Sequence, residues 1–167
     1  GGCLFDYASH VINLIQEIIG RPVSADGAQL KKIYSRDVED AVYSVLRLET
    51  GLSGMLSVNW SDETYRKMST SITLIGKKGK IICDATELKI YLKEPDEDEK
   101  LGSGWTIKYI TDLAMPVDFY LRGEEYSAQI DNFVRHVKEK KPTTVNTFRQ
   151  ALETDRVMEV IIAESKR

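Results

Sequence analysis

The sequence has 167 residues, enough for one domain with a substantial core. Its apolar content of 42%, charged content of 29% and net charge of −3 are typical of a soluble globular protein. This weakly acidic balance gives no basis for binding nucleic acid or an anionic membrane, because both select basic patches. No apolar run approaches the roughly 20 residues that a membrane-spanning helix needs.

The two cysteines, Cys3 and Cys83, are isolated and match neither a metal-ligand spacing nor a disulfide framework. We expect two buried free thiols in a reducing compartment and therefore a cytoplasmic protein. The chain begins at Gly1 and not at Met, so we also expect a further part of the protein upstream.

The chain opens with a predicted amphipathic helix over residues 4–19, in which apolar residues recur at helical spacing. Gly20 and Pro22 predict its end. The opposite face carries a polar stripe, which consists of Asp6, His10, Asn13 and Glu17.

Alternating apolar and polar residues then predict a series of strands. Glycines at 76 and 79 flank a turn where we expect positive φ. Short turns between the strands favour antiparallel pairing. The predicted strands cover residues 29–35, 40–49, 52–59, 71–75, 80–83, 87–93 and 105–111.

Two helices close the sequence, one over residues 123–140 and one that Asn146 or Thr147 caps. The order of helix, strands and helices predicts an α+β fold: a predominantly antiparallel, open-faced β-sheet with helices packed on one face. We find no internal repeat and no linker, so residues 1–167 are predicted to form a single domain.

Asp6 and His10 carry the strongest chemical signal, because positions four apart lie on one face of an α-helix. A histidine held by a carboxylate is the usual general acid or base near neutral pH. The alternative is structural, with Asp6 on the helix dipole and His10 facing solvent.

Trp60, Tyr65 and Arg66 follow a strand end and could line a sugar site through stacking and forked hydrogen bonds. A half-buried packing cluster is the alternative. Gly102-Ser103-Gly104 lacks the third glycine of a dinucleotide fingerprint and precedes a strand, so we interpret it as a loop. No residue set predicts a metal site.

Several loose motifs occur in one order along nearly the whole chain. Together they resemble the C-terminal domain of the Gfo/Idh/MocA oxidoreductases, the glucose–fructose oxidoreductase and inositol dehydrogenase family. The motifs are Gly-Gly-x-x-x-Asp-x-x-x-His from Gly1, Val38-Glu39-Asp40, Gly51-x-x-Gly54-x-Leu56-x-Val58-x-Trp60, Ile72-x-Leu74-x-Gly76-x-x-Gly79-x-Ile81 and Gln129-x-Asp131-x-Phe133.

The resemblance implies an oxidoreductase whose separate N-terminal Rossmann domain binds NAD or NADP. This chain would be the substrate-binding and oligomerisation domain for a sugar, nucleotide sugar or related polyol, with homo-oligomer contacts through the open sheet face. Asp6 and His10 would be catalytic and would assist a lysine from a Glu-Lys-Pro motif of the Rossmann domain. Asn13 would contact substrate where the family often has an aspartate.

The resemblance also implies that this chain alone binds no cofactor and is inactive. The alternative from another class is a non-catalytic dimerisation or ligand-binding α+β module. A standalone hydrolase built on Asp6 and His10 would need a nucleophile, which the sequence does not supply.

Overall fold

The computed structural model describes residues 1–64, 68–115, 117–119 and 124–167, with the backbone alone at 124 and 125. The elements in chain order are a π-helical turn (Leu4–Ala8), α1 (Ser9–Ile18), β1 (Pro22–Lys31), β2 (Ala41–Leu48), β3 (Ser53–Asn59), β4 (Ser71–Ile75), β5 (Gly79–Asp84), β6 (Glu87–Leu92), β7 (Gly104–Tyr109), α2 (Ile110–Leu113), α3 (Glu124–Glu139) and α4 (Phe148–Glu164). No helix in these ranges is long and apolar enough to span a membrane.

The chain forms two compact units, one of Gly1–Arg66 with Pro142–Arg167 and one of Lys67–Lys141. The first unit contains an antiparallel sheet in the order β1-β2-β3. Side chains of β2 alternate across it, as the sequence predicts: Val42, Ser44, Leu46 and Leu48 are buried, whereas Tyr43, Val45 and Arg47 are exposed.

The helices of the first unit cover the buried face of this sheet. α4 packs on β1 and on α1, and the π-turn contacts β3. Together they enclose one core, because each element contributes an apolar stripe to it. The helical members of this core are Cys3, Leu4, Ala8, Ile12, Val157, Met158 and Ile161.

The second unit contains an antiparallel sheet in the order β4-β5-β6-β7. Both faces are apolar in part, and none of its described side chains is fully buried. Across the sheet Ile75 pairs with Lys80, Lys80 with Tyr91, and Tyr91 with Trp105, so these four side chains lie on one face. The alternation along each strand places further exposed side chains on the same face. We call it the open face and define it by Thr73, Ile75, Tyr91, Trp105 and Ile107.

The predicted fold class, α+β with antiparallel sheet, is confirmed. The strands nevertheless form two sheets, whereas one was expected. β3 ends at Asn59 and β4 begins at Ser71, so this connection is too long for a tight hairpin, and the two strands are not paired.

The prediction of a strand at 29–35 is wrong in its limits, since β1 spans Pro22–Lys31. Its sequence is interrupted by small and polar residues, and its register to β2 shifts between Asp26 and Gln29. Gly27 lies in that shift with φ +58°, the geometry of a glycine bulge. Such a bulge breaks the period of two on which the strand prediction depends.

The predicted positive φ at residues 76 and 79 is also wrong. Gly79 is needed for a different reason, because a Cβ there would lie 1.9 Å from the carbonyl oxygen of Tyr91. The last predicted strand ends at Tyr109, and α2 follows it. Thr147 is the cap of α4: its hydroxyl accepts the N–H of Gln150, and the Gln150 side chain accepts the N–H of Thr147.

Candidate functional site

The helix that carries Asp6 and His10 starts on the side chain of Glu39, 37 residues away in sequence. Oε1 of Glu39 accepts the backbone N–H groups of Gly2 (3.0 Å) and Leu4 (3.2 Å), and its carbonyl oxygen accepts the N–H of Cys3 (2.9 Å). These N–H groups precede or begin the first helical turn, where backbone donors have no partner within the helix. Glu39 therefore acts as a cap from outside the helix.

Gly2 makes this contact sterically possible. A Cβ at Gly2 would lie 2.1 Å from the carbonyl oxygen of Glu39 and 2.5 Å from its side-chain Cδ. Side chains larger than hydrogen are excluded at this distance, so the second glycine of the chain is fixed by the approach of Glu39 and not by a positive φ.

Asp40 is the buried neighbour of this cap. Its carboxylate accepts the backbone N–H groups of Ile33 (2.9 Å), Tyr34 (2.6 Å) and Ser35 (2.6 Å). Burial raises the pKa of the Asp40 carboxyl, but the three backbone donors and Ser35 outweigh it, and the net pKa lies below its usual value. Asp40 thus holds the loop after β1 as an anion.

The main chain of Asp40 joins two further elements. Its N–H donates to the carbonyl of Lys31 at the end of β1 (2.9 Å), and its carbonyl accepts the N–H of Trp60 after β3 (3.1 Å). The dipeptide Glu39–Asp40 therefore connects the start of the helix, the end of β1 and Trp60.

Trp60 packs on the π-turn through Tyr7. The two rings meet edge to face, with centroids 6.1 Å apart and planes at 87°. Both side chains are half-buried against the core. The packing alternative for Trp60 is thus realised, while its role in substrate binding stays a prediction.

Asp6 and His10 are both exposed. Asp6 lies in the π-turn, where the N–H of Ser9 bonds to the carbonyl of Leu4 five residues back, so the α-helical geometry assumed for the pair does not hold through this turn. Within the described ranges no hydrogen bond or ion pair joins the two side chains. Their catalytic role stays a prediction.

Asn13 is half-buried on α1, one turn beyond His10. Tyr65 and Arg66, the other two predicted substrate-binding residues, lie outside the described residues. The second histidine, His136, is on α3, where its Nδ1 donates to the carbonyl of Asn132 (2.8 Å). It belongs to the other unit.

Cys3 lies under the cap and is fully buried. Burial, followed by the charges of Glu39 and Asp40, raises the pKa of its thiol to about 11. A thiol with that pKa remains protonated at neutral pH, so Cys3 is a packing residue and not a nucleophile. Cys83 is free and partly exposed, contrary to the expectation that both thiols are buried.

The glycine-containing loop before β7 is not a dinucleotide-binding turn. Gly102-Ser103-Gly104 connects β6 to β7 and leads into a strand, whereas a pyrophosphate cradle opens a helix. No group of three or more histidine, cysteine or acidic side chains in the same ranges could hold a metal ion. This segment of the first unit exposes the acid Asp6 and the imidazole of His10, and Tyr7 of the same segment packs on Trp60.

Sequence reasoning named Glu39 and Asp40 only as part of a motif and gave them no role. Two adjacent acids directly before a buried strand were a visible signal, since buried carboxylates must find partners. The partners are backbone amides that only the fold brings within reach, so the pattern alone could not identify them.

Solved structures define the class of fold. A levoglucosan dehydrogenase in complex with NADH and levoglucosan matches with a TM-score of 0.77 at 17% identity, covering 96% of this chain and 47% of that one. The WlbA dehydrogenase from Bordetella pertussis, in complex with NADH and UDP-GlcNAcA, gives 0.69 at 18%, covering 99% and 46%. The aldose–aldose oxidoreductase from Caulobacter crescentus, complexed with glycerol, gives 0.72 at 18%, covering 99% and 46%. The chain thus has the fold of part of these proteins and spans about half their length.

A protein-family comparison matches the first half of the sequence. Residues 1–82 match the GFO/IDH/MocA C-terminal domain, which confirms the predicted resemblance to a C-terminal domain of the Gfo/Idh/MocA oxidoreductases. This stretch includes the candidate site residues Asp6, His10, Asn13 and Trp60 together with Glu39. No curated protein matches the sequence.

Proposed function

We propose that this chain is the substrate-binding and oligomerisation domain of an NAD(P)-dependent oxidoreductase acting on a sugar, nucleotide sugar or related polyol. The observation that carries the proposal is the family match over residues 1–82, because this stretch contains the exposed acid and imidazole of the candidate site. We place the protein in the cytoplasm, which its two free cysteines support.

The substrate class is inferred from the solved structures. Their names mention levoglucosan, UDP-GlcNAcA and an aldose–aldose oxidoreductase. The sugars in these names carry several hydroxyl groups. Asp6 and Asn13 could accept or donate hydrogen bonds to such groups. Tyr7 and Trp60 are aromatic and half-buried, as side chains that pack against sugar rings commonly are.

In the proposed reaction a bound NAD or NADP would supply the acceptor for the hydride that leaves the carbon of a substrate alcohol. The cofactor would be held by a Rossmann domain of the same protein, as the family resemblance implies. His10 would accept the proton of the reacting hydroxyl on its imidazole, and Asp6 would orient the imidazole or that hydroxyl. The pair need not touch before substrate binds, because catalytic hydrogen bonds often tighten only in the complex.

The oligomerisation part of the proposal is supported by the second unit. Its open face exposes Ile75, Tyr91, Trp105 and Ile107, and the rings of Tyr91 and Trp105 lie 5.3 Å apart. An apolar surface of this kind is typical of a contact with another protein surface. A non-catalytic dimerisation module, the alternative function, would use the same face.

The function is tested in the protein with its Rossmann domain present. We expect His10→Ala to lower kcat for oxidation of a sugar substrate by about 10²- to 10⁴-fold, the usual contribution of a general base. His136→Ala is the matched control, because it removes the other histidine from a different unit, and its kcat should stay within about twofold.

A fully active His10→Ala protein would refute the role given to His10, whereas a parent protein that oxidises no such substrate would favour the non-catalytic module. Calorimetric titration of the present chain with NADH should show no binding. Tight NADH binding to this chain would overturn the assignment of the cofactor to a separate domain.

A further inference from the structure

The Glu39 side chain, directly before β2, reaches the start of the candidate catalytic helix. One oxygen of its carboxylate, Oε1, accepts the backbone N–H groups of Gly2 and Leu4. The backbone carbonyl of Glu39 accepts the N–H of Cys3, which lies between them. The N–H groups of three consecutive residues therefore all donate to Glu39. Such a clamp fixes both the position and the direction of the backbone that enters the π-turn.

The clamped segment is also the segment with unusual geometry. π-helical turns are rare and are frequently found at functional sites. Here the π-turn spans Leu4–Ala8, begins directly at the clamp and contains Asp6. Leu4 and Ala8 are fully buried, so the turn is fixed on its core side while Asp6 faces outward.

No other described contact fixes the start of this turn from the side of the sheet as directly. The Tyr7–Trp60 ring contact holds its middle, and the main chain of Trp60 is bonded to Asp40, the residue after Glu39. Both supports of the π-turn thus originate at the Glu39–Asp40 dipeptide. A change at Glu39 should therefore move Asp6 relative to His10, which lies beyond the turn on α1.

We propose that Glu39 is a positioning residue for the Asp6–His10 pair: its carboxylate holds the π-turn in the geometry that the reaction needs, without touching substrate. This inference deepens the proposed function and rests on it. It also makes a steric statement about Gly2, whose missing side chain admits the Glu39 carboxylate.

Two variants test the clamp in different ways. Glu39→Ala removes the acceptor. Gly2→Ala keeps the glutamate, but the added Cβ forces Glu39 away from the turn. Glu39→Gln keeps an oxygen at the same position and should restore most of the function. The matched controls are Glu159→Ala, an exposed glutamate of α4, and Gly54→Ala, where a Cβ meets nothing within 4 Å.

The first readout uses the present chain and needs no activity. Hydrogen exchange at the Leu4 amide should accelerate at least tenfold in Glu39→Ala and Gly2→Ala, because the amide loses its acceptor. NMR shifts of Asp6 and His10 should change, whereas those of Ile161 in the core should not. Glu39→Gln and both controls should resemble the parent protein. Unchanged exchange at Leu4 in Glu39→Ala would overturn the clamp itself.

The second readout is kcat and KM in the protein with its Rossmann domain. We expect kcat to fall at least tenfold in Glu39→Ala with KM within about threefold, since misplacing a catalytic group acts mainly on the reacting geometry. Glu39→Gln should recover kcat to within about threefold of the parent. A loss that merely follows the folded fraction, or the absence of recovery in Glu39→Gln, would overturn the positioning role.

The failure of this proposal is distinguishable from the failure of the proposed function. If His10→Ala is fully active, the catalytic assignment fails, while the exchange and NMR experiments still decide whether Glu39 holds the turn. If His10→Ala is inactive and Glu39→Ala retains full kcat with an exposed Leu4 amide, the pair is catalytic but does not depend on the clamp, and the present inference is wrong.

Discussion

The two units of the chain have the same kind of antiparallel sheet and opposite burial. In the first unit, three strands and the helices around them enclose one core, and four of the β2 side chains on one face are shielded from solvent. In the second unit, four strands carry a similar density of apolar residues, and not one of their side chains is fully buried. Strand sequence alone therefore does not determine burial; what covers the sheet does.

This difference separates two tasks. A packed core holds backbone segments in fixed positions, which a catalytic pair requires. The candidate site is accordingly built on the first unit, next to the buried residues Leu4 and Ala8. The second unit leaves Ile75, Tyr91, Trp105 and Ile107 exposed on the open face, where the proposed oligomer contact would form. The predictions below set one residue of each unit against the other.

The largest difference in folding stability is expected between the alanine variants of Ile161 and Ile107. Ile161 is 0% exposed in the core, whereas Ile107 is 47% exposed on the open face. In dilute solution Ile161→Ala should lower the free energy of unfolding by about 2–5 kcal/mol, because it leaves a cavity as well as losing buried surface. Ile107→Ala should lower it by less than about 1 kcal/mol. Urea unfolding measures both.

Protein concentration sharpens this comparison and tests the proposed oligomer. If the open face pairs with another copy, the cost of Ile107→Ala should rise with concentration, since association stabilises the folded chain by mass action. The cost of Ile161→Ala should not change. If the cost of Ile107→Ala stays small at every concentration, this would count against oligomerisation through this face. A cost below about 1 kcal/mol for Ile161→Ala would count against the described core.

The second pair is the two cysteines. The Cys3 thiol has a pKa of about 11, so about one molecule in a thousand carries the thiolate at pH 8, and that thiolate is also buried. Cys83, in β5 of the second unit, is partly exposed. A thiol-specific reagent should therefore modify one cysteine at least about a hundredfold faster than the other in the native chain.

Peptide mapping should identify the fast site as Cys83, and denaturant should make both sites react. Cys83→Ser is the control, because it should abolish the fast phase and leave the slow one. Rapid native labelling at Cys3 would mean that the segment beneath the Glu39 clamp opens readily, which contradicts the packing of the π-turn.

The sequence predicted most of the fold where its patterns are local. The strands at 40–49 and 52–59 were predictable because the alternation of apolar and polar residues acts over a few residues. β1 was predicted poorly, since the bulge at Gly27 shifts its register. The division into two sheets was missed because it depends on which strands find partners across a long connection.

The candidate site shows the same limit. Asp6 and His10 were recognisable from residue type, and the family resemblance was recognisable from ordered motifs. Their actual geometry was not, because the π-turn depends on Glu39, 37 residues further along the chain. Spacing rules assume a regular α-helix. The π-turn, whose start is capped by a residue far along the chain, departs from that geometry.

The smallest effect is expected from two aspartates that cap loops, Asp40 in the first unit and Asp84 in the second. Hydrogen bonds from the Thr86 hydroxyl and the Thr86 and Glu87 amides hold the pKa of Asp84 below its usual value. The pKa of Asp40 is also lowered, because its backbone donors outweigh the effect of burial. Each carboxylate therefore stabilises the fold above its unfolded pKa of about 3.9, and this contribution is lost as pH falls through the lower folded pKa.

Asp40→Asn should lower the urea midpoint at pH 7, and its difference from the parent should shrink as pH falls below the unfolded pKa of about 3.9 and through the lower folded pKa. Asp84→Asn should act in the same direction but less, because Asp84 is exposed and solvent screens its interactions. A larger loss for Asp84→Asn would reverse the comparison. It would mean that the loop between β5 and β6 is as tightly built as the loop beside the candidate site, and that the second unit needs no partner to hold its strands.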